Sequence, residues 1–452
     1  MLMGIDAAIK NLLQGPRFPD REFIRSGPTF GEVYAMAAGL RAAFNRPGYQ
    51  GESVCLASDN KAVMAAALLS ALAGGPPLLL PYSFSAQALA RLRKLTGFTT
   101  AIADGAREFP EGVTVISPQQ ANPVGLATAT PGLPGRELLK IFTGGSTGAP
   151  QVWAKTAENI FGEGFALSRY FKVTEKDRIV ATMPPYHIYG LLFSVLLPLV
   201  SSATVMAGTP SFPGEIADVI REQGATLLAS IPAHYRALRG RNLADCPLRL
   251  AFSSAGMLDA EDNEAFYRDN KVGIAEVYGS TETGGIATRN RFLGETHFTP
   301  FPLVSWKIKD DRICVASPFL SPGLPREEDG FFMGGDRVKP CGTNGFILMG
   351  RIDGVSKVGG KRVDLEEVRA IIKKEPSVRD CVVIALPVAG GRESRLAALI
   401  QGVAVDMDVI KKRLAVSLES YALPRLIRIV RSIPVKENGK YDRDAIRRLF
   451  ES

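Results

Sequence analysis

The chain has 452 residues, which is too long for one ordinary hydrophobic core, so at least two domains are expected. Hydrophobic residues make up 46% and charged residues 22%, an ordinary globular composition. Five cysteines without a CxxC pair exclude a disulfide framework and a zinc site of that kind, and they fit a reducing compartment. The first six residues lack a signal-peptide pattern, so we expect a cytoplasmic protein.

The net charge of +8 is concentrated near the C-terminus. From Arg351 onward there are 21 Lys and Arg against 14 Asp and Glu, a surplus of +7, so the preceding part is close to neutral. A basic C-terminal quarter would attract an anionic partner such as a phosphorylated cofactor or an acidic carrier protein, although a solvated basic face explains the same charge. No basic motif with interleaved aromatic residues occurs, so no nucleic-acid partner is expected.

The N-terminal third of the chain alternates helical and strand patterns. It begins with an amphipathic helix at 30–44, for which Thr29 is a suitable N-cap. A buried strand at 53–57, an Ala- and Leu-rich helix at 60–73 and a core strand at 78–80 follow. Strands separated by helices at this spacing predict a parallel sheet.

A loop rich in glycine and hydroxyl side chains follows the apolar pair at 141–142. Glycine lets backbone N–H groups turn toward an anion, and Ser and Thr add donors, so the loop suits a polyphosphate. It is not the Walker pattern, because Ala149 and Pro150 follow its last glycine. A flexible surface turn is the alternative interpretation. The candidate phosphate-binding residues are Thr143, Gly144, Gly145, Ser146, Thr147 and Gly148.

The stretch at 190–208 is uncharged and approaches the length of a membrane span. It contains Pro198 and several hydroxyl residues and lacks a basic flank. These features favour a buried helix, broken at Pro198 and followed by a core strand at 203–207. No membrane insertion is therefore expected.

Two candidate ligand contacts follow predicted strands. His187 comes just after a strand at 178–182, where open α/β sheets place ligand contacts, although an ordinary hydrogen-bonded histidine is the alternative. A later strand at 248–253 runs into small residues, among them Ala255 and Gly256. Small residues at a strand end would let a flat ring lie on the backbone.

The segment from Val277 to Gly285 combines an aromatic ring, glycines, hydroxyl groups and a carboxylate. The aromatic ring of Tyr278 could stack on a base, and a hydroxyl group of the segment could bond to a phosphate. Glu282 together with phosphate oxygens would make the usual oxygen environment of Mg²⁺. This combination is improbable in a random loop, so the segment is the second strong indication of a nucleotide site, after the phosphate loop.

These motifs occur in the order found in the adenylate-forming superfamily of acyl- and aryl-CoA synthetases, adenylation domains and luciferases, which the chain resembles over nearly its whole length. The resemblance implies an α/β fold: a large N-terminal domain with parallel sheets at 1–352 and a small mobile α+β domain at 353–452. It implies that ATP and Mg²⁺ are used to activate a carboxylic acid as an acyl-adenylate. The acyl group would then pass to the thiol of CoA or of a phosphopantetheinyl carrier protein.

The resemblance also implies roles for individual residues. His187 would close the acyl pocket, and Lys440 would neutralise charge as the carboxylate attacks the α-phosphate. Asp353 would be the pivot between the two domains. On the nucleotide, the adenine-side residues would be Ala255, Gly256, Tyr278 and Gly279, with Thr281 at the α-phosphate, Glu282 on Mg²⁺, Asp336 on the ribose and Arg351 on ribose or phosphate.

One departure from the family pattern concerns the phosphate loop. Gln151 stands where the family has lysine, and Lys155 is the candidate to replace that cation. The same loop variant resembles short aryl-acid ligases that load carrier proteins. The usual Asp of amino-acid adenylation domains is missing near His187, since Asp177 lies too early, so the expected substrate is an aromatic or apolar acid. A catalytically weak paralogue acting as regulator or scaffold, and a luciferase-type oxygenase, are the alternatives.

Overall fold

The computed structural model describes residues 2–45, 53–121, 126, 135–143, 151–351, 355–358, 361–387, 394–418, 422–437 and 439–451. The chain divides into two compact units. The first contains Met1–Ser305 and Ala316–Pro325, and the second contains Trp306–Val315 and Arg326–Ser452. The predicted α/β class, with parallel sheets and a smaller C-terminal part, is confirmed. The predicted boundary at 352–353 lies outside the described residues and stays a prediction.

The first unit contains a six-stranded sheet near its N-terminus. Neighbouring strands are parallel, except that the last two form an antiparallel hairpin. The strands of this first sheet, in spatial order, are Thr114–Ile116, Thr100–Ile102, Val54–Leu56, Leu78–Leu80, Glu137–Thr143 and Gln151–Thr156.

A seven-stranded second sheet follows in the same unit. Five neighbouring strands are parallel, so their carboxyl ends meet at one edge, and two antiparallel strands extend the sheet. In spatial order the strands are Thr299–Pro300, Gly284–Asn290, Ile274–Ser280, Leu250–Ser253, Leu227–Ser230, Arg178–Ala181 and Thr204–Val205.

Several helices between these strands begin where capping side chains satisfy the first N–H groups. Thr29 accepts from the backbone N–H of Glu32, and the Glu32 carboxylate accepts from Thr29 in return, which confirms the predicted start. Asn60 caps the next helix in the same way. The helices are Leu2–Leu13, Phe30–Phe44, Lys61–Leu72, Ala86–Thr96, Ala157–Tyr170, Pro213–Glu222, Pro232–Ala237 and Ala260–Asn270, with a 3₁₀ turn at Arg291–Leu293.

The uncharged stretch contains a continuous helix, and the predicted break at Pro198 is wrong. Leu197 donates its N–H to the carbonyl of Leu192, five residues back, so a wider turn directly precedes the proline and accommodates its ring. The helical residues are Ile188–Leu191 and Leu197–Ser201 as α-helix, with Leu192–Leu196 as a π-helical turn between them. Within the described residues, no helix is long and apolar enough to cross a membrane.

In the rest of the chain, the residues that the structure describes form strands and three helices. A sheet of four strands consists of Ser305–Lys309, Arg312–Ala316, Phe332–Cys341 and Gly345–Arg351. A two-stranded ribbon pairs Val355–Val358 with Lys361–Asp364. The last sheet consists of Leu426–Val430, Ser394–Gly402 and Val378–Pro387, and the helices are Leu365–Lys373, Met407–Ser417 and Arg443–Glu451.

The last sheet is buried on both faces. Cys381 and Val383 pack with the helices at 365–373 and 407–417, whereas the alternating residues Val382 and Ile384 pack with Phe450 of the final helix. Alternation along one strand therefore supplies two apolar layers, which give this part of the chain a core of its own.

Candidate active site

The ends of the predicted phosphate loop lie side by side in the antiparallel hairpin of the first sheet. Thr143 is the last residue of one strand and pairs with Gln151, the first residue of the other. The Thr143 hydroxyl donates to the Gln151 carbonyl over 3.5 Å. The residues between them, which include Gly144, Gly145, Ser146, Thr147 and Gly148, lie outside the described residues, so their role stays a prediction.

A tight turn joins the antiparallel strands that end at Ser280 and begin at Gly284. The N–H of Ser280 donates to the Thr283 hydroxyl at 3.0 Å, and the N–H of Thr283 donates back to the Ser280 hydroxyl at 3.3 Å. A Cβ at Gly279 would lie 2.2 Å from the Gly284 carbonyl oxygen, so only glycine fits there. The turn carries Thr281 at a partly exposed position.

Glu282 lies within this turn and is partly exposed. Its backbone carbonyl accepts from the N–H of Ser321 at 2.8 Å, whereas its carboxylate accepts no hydrogen bond from the part of the chain that the structure describes. Among the described residues, no three His, Cys, Asp or Glu side chains cluster as a metal site. The single, partly exposed carboxylate of Glu282 fits Mg²⁺, because Mg²⁺ takes its remaining ligands from phosphate and water.

The candidate adenine-side residues come together at neighbouring parallel strands. Ala255 and Gly256 follow one strand, and Tyr278 lies near the end of the next. The Ser254 hydroxyl donates to the Val277 carbonyl at 2.7 Å and ties the two segments together. Ala255 has a φ of +66°, a left-handed conformation that is strained for a residue with a side chain. The two segments predicted to hold adenine are thus adjacent.

His187 lies at the same edge of the second sheet as the Glu282 turn, because the strands that lead to both are parallel. It precedes a short helix, and its N–H donates to the Pro184 carbonyl at 3.1 Å. Its ring lies 4.8 Å from that of Tyr186. Gly190 packs directly on this loop, since a Cβ there would lie 2.0 Å from the Pro184 oxygen. The glycine of the histidine motif therefore permits the loop conformation.

The structure places Lys155 differently from the prediction. Its side chain is fully buried, and its ammonium donates to the carbonyls of Phe319 at 3.0 Å and Glu282 at 3.4 Å. Burial lowers the pKa of Lys155 to about 8, although the Glu163 and Glu282 carboxylates raise it. Because this ammonium points at backbone carbonyls inside the protein, it does not take the place of the loop lysine missing at Gln151.

The residues predicted at the ribose belong to the four-stranded sheet. Asp336 and Arg351 are directly opposite each other on antiparallel strands. The pairing becomes irregular between Asp336 and Val338, so a bulge lies beside the aspartate. The predicted pivot, Asp353, lies outside the described residues.

Lys440 is exposed on a closed turn near the C-terminus. The N–H of Lys436 donates to the Lys440 carbonyl at 2.7 Å, and Gly439 has a φ of +74°, which favours glycine. The next residue, Tyr441, donates its hydroxyl to Asp380 at 2.7 Å, and Arg369 donates to the same carboxylate at 3.0 Å. Sequence reasoning missed this buried anchor, because a lone Asp in a strand carries no motif.

Comparisons with known proteins agree on the family. The model of the AMP-binding enzyme family matches residues 13–323. A 4-coumarate–CoA ligase of Rhodobacter capsulatus is 28% identical over 302 residues, which cover 66% of this chain and 73% of the relative. A sulfoacetate–CoA ligase of Cupriavidus necator is 24% identical over 341 residues, which cover 69% of this chain and 67% of the relative. ATP-bound MatB of Rhodopseudomonas palustris has the same fold, with a TM-score of 0.84 at 19% identity over 98% of this chain and 99% of that one.

The fold and the nucleotide motifs define an adenylate-forming enzyme, as the sequence predicted. The chain belongs to the AMP-binding enzyme family, since the family model matches more than half of it. It is an AMP-forming ligase that activates a carboxylic acid with ATP and forms a thioester, and the predicted class of enzyme is confirmed. The regulator or scaffold alternative finds no support.

Proposed function

We propose that this ligase activates an aromatic or apolar carboxylic acid and transfers it to the thiol of CoA or of a phosphopantetheinyl carrier protein. The observation that carries the proposal is the turn at Glu282, which presents a partly exposed carboxylate close in sequence to Tyr278 at the carboxyl edge of a parallel sheet. This edge is where open α/β sheets bind ligands. The proposed metal ion is Mg²⁺, with Glu282 as its protein ligand.

The first half-reaction is an in-line displacement at phosphorus. A carboxylate oxygen of the acid forms a bond with the α-phosphorus of ATP, and the bond from that phosphorus to the pyrophosphate oxygen breaks. In this proposal Thr281 donates to the α-phosphate and Lys440 neutralises the charge that develops on it. When bound, Mg²⁺ supplies further charge neutralisation on the phosphates.

In the second half-reaction the acyl group leaves AMP. The thiol sulfur forms a bond with the acyl carbon, the bond from that carbon to the AMP oxygen breaks, and the thiol proton is released. Both candidate acceptors carry phosphate groups. The basic surplus of the residues from Arg351 onward suits either one.

Two observations support an aromatic or apolar acid. Asp177 lies before its strand, at the opposite end from His187, and it is buried in a two-point ion pair with Arg249. It therefore cannot hold the ammonium of an amino acid. Near His187, Tyr189 packs against Phe193 at 4.9 Å between ring centroids. Phe193 packs in turn against Phe252 at 4.8 Å, so the core directly behind this loop is aromatic.

The test is pyrophosphate–ATP exchange with a panel of benzoates, cinnamates, fatty acids and amino acids. Exchange needs only the first half-reaction, so it does not depend on the acceptor. We expect exchange with one class of aromatic or apolar acid and none with amino acids. Exchange driven by an amino acid alone would contradict the proposed substrate class. Thioester formation with CoA and with a loaded carrier protein then identifies the acceptor.

A further inference from the structure

A buried cation and a buried carboxylate lie directly behind the Glu282 turn, and the proposed reaction does not use them. Lys155 belongs to the edge strand of the first sheet, and Glu163 lies on the helix Ala157–Tyr170 that follows. Lys155 is 0% and Glu163 is 1% exposed. Burying a charged group is unfavourable unless it is compensated, so the placement of these two charges calls for a reason.

Both side chains bind the backbone of the turn. The Lys155 ammonium donates to the Glu282 carbonyl, and one Glu163 oxygen accepts from the N–H of Gly285 at 2.7 Å. The two contacts lie three residues apart and enclose Thr283 and Gly284. A charged donor and a charged acceptor thus hold both ends of the segment that presents the Glu282 carboxylate.

The glycines of the turn are matched to Glu163. A Cβ on Gly284 would lie 2.7 Å from one Glu163 oxygen, and a Cβ on Gly285 would lie 3.2 Å from the other. Gly284 also has a φ of +67°, which favours glycine. The oxygen facing Gly284 has no hydrogen-bond partner among the described residues. The carboxylate therefore fills the space that these two glycines leave.

A second segment, residues 318–321, is held by Lys155 and by a side chain of the same helix as Glu163. Lys155 donates to the Phe319 carbonyl at 3.0 Å, and Asn159, one helical turn before Glu163, donates to the Pro318 carbonyl at 2.7 Å. Ser321 then donates its N–H to the Glu282 carbonyl. The Glu282 turn is thus held by Lys155 of the edge strand, by Glu163 of the helix and by Ser321 of the segment 318–321.

We propose that Lys155 and Glu163 are positioning residues for adenylate formation, which hold the Glu282 turn in the geometry that binds the magnesium–nucleotide complex. This proposal rests on the proposed function. Partners of a metal-binding carboxylate orient it, and their loss typically costs about 10–100-fold in metal affinity or activity. Lys155 thus acts from behind the nucleotide site, through the backbone of Glu282.

Lys61 provides a matched control. It is also a buried lysine of the first unit, 1% exposed, and its ammonium donates to the carbonyls of Met206 at 2.5 Å and Gly208 at 2.7 Å. Burial lowers its pKa to about 7. Lys61→Met therefore removes the same kind of group and the same kind of contact without touching the turn.

The experiment measures ATP binding by calorimetry, with and without Mg²⁺, in Lys155→Met, Glu163→Ala, Glu163→Gln and Lys61→Met, alongside thermal unfolding and exchange. We expect Lys155→Met and Glu163→Ala to weaken binding in Mg²⁺ by about 10–100-fold. Glu163→Gln keeps an acceptor for Gly285 and should recover part of that loss. Lys61→Met should lower thermal stability and leave ATP affinity unchanged.

Each remaining outcome decides between the two proposals. Equal losses of ATP affinity in Lys61→Met and Lys155→Met would overturn the positioning role, as would unchanged affinity in Lys155→Met. If Lys155→Met and Glu163→Ala both prevent folding, Glu163→Gln is the deciding variant. Unchanged ATP affinity in Glu163→Gln would overturn the positioning role. Magnesium-dependent ATP binding without exchange for any acid would instead contradict the proposed function alone.

Discussion

Lys440 is the side chain whose removal should separate chemistry from binding. Its turn is closed by backbone hydrogen bonds and anchored through Tyr441, so Lys440→Ala should leave the fold intact. We expect the exchange rate to fall by about 10²–10³-fold, the usual cost of losing one preorganised group that stabilises transition-state charge. ATP affinity from calorimetry should change little.

The neighbouring Lys436 supplies the control for that experiment. It is exposed on the same turn, where its backbone N–H donates to the Lys440 carbonyl and its carbonyl accepts from the N–H of Gly439. Lys436→Ala should keep normal exchange. Unchanged exchange in Lys440→Ala would show that another group neutralises the charge.

Side chains that belong to one local motif are easier to place from the sequence than Lys155, whose ammonium points into the protein. Tyr278, Gly279 and Glu282 are close in sequence, so a hairpin turn brings them together whatever the rest of the chain does. Lys155 contacts carbonyls of residues 282 and 319, more than 120 residues away. Its sequence position beside the phosphate loop gave no sign that its side chain points inward.

The hairpin turn that carries Glu282 should be intolerant of a single methyl group at Gly279. Gly279→Ala would place a Cβ 2.2 Å from the Gly284 oxygen, so the turn must open. We expect a loss of ATP affinity together with a destabilisation of about 1–3 kcal/mol, the usual cost of overpacking. Calorimetric titration and denaturant unfolding measure the two effects.

Gly214 is the matched glycine for this test. It lies in the first turn of the helix Pro213–Glu222, and a Cβ there meets no atom within 4 Å. Gly214→Ala should keep ATP affinity and be neutral or slightly stabilising, since alanine favours helix. A Gly279→Ala protein with normal affinity and stability would show that the turn relaxes freely.

Elements with strong local signals were predicted well, and those that depend on partners were not. The helix Phe30–Phe44 begins and ends as its capping residue and periodicity indicate. The run from Ile188 to Ser201 was predicted to break at Pro198, because proline normally ends a helix. A π-helical turn before the proline preserves the helix, and no residue pattern signals that turn in advance.

The two compact units should unfold as separate transitions, because each has a core of its own. Ile372 is fully buried in the core of the C-terminal sheet, and Leu228 is fully buried in the core of the second sheet. We expect Ile372→Ala to destabilise only the second unit by about 2–5 kcal/mol, and Leu228→Ala only the first. Differential scanning calorimetry measures both transitions, and a shift of both in either variant would contradict this independence.

The division of the whole chain was harder to predict than its motifs. The four-stranded sheet that includes Asp336 and Arg351 draws residues 306–315 and 326–351 into the second unit. Antiparallel pairing joins the strand Arg312–Ala316 to the strand Phe332–Cys341 across the segment between them. The order of the motifs along the chain therefore predicts which residues are functional, whereas the extent of the compact units depends on strand pairing that no motif indicates.

The fit of Glu163 against Gly284 has a consequence for protein engineering. An oxygen of the Glu163 carboxylate occupies the space that a side chain at position 284 would need. Positions 163 and 284 are therefore coupled and should be changed together. A nucleotide motif transplanted from a relative would bring its own residue at 284 into contact with the Glu163 of this chain. Grafts should therefore move both positions together, since either one alone leaves a clash or a cavity.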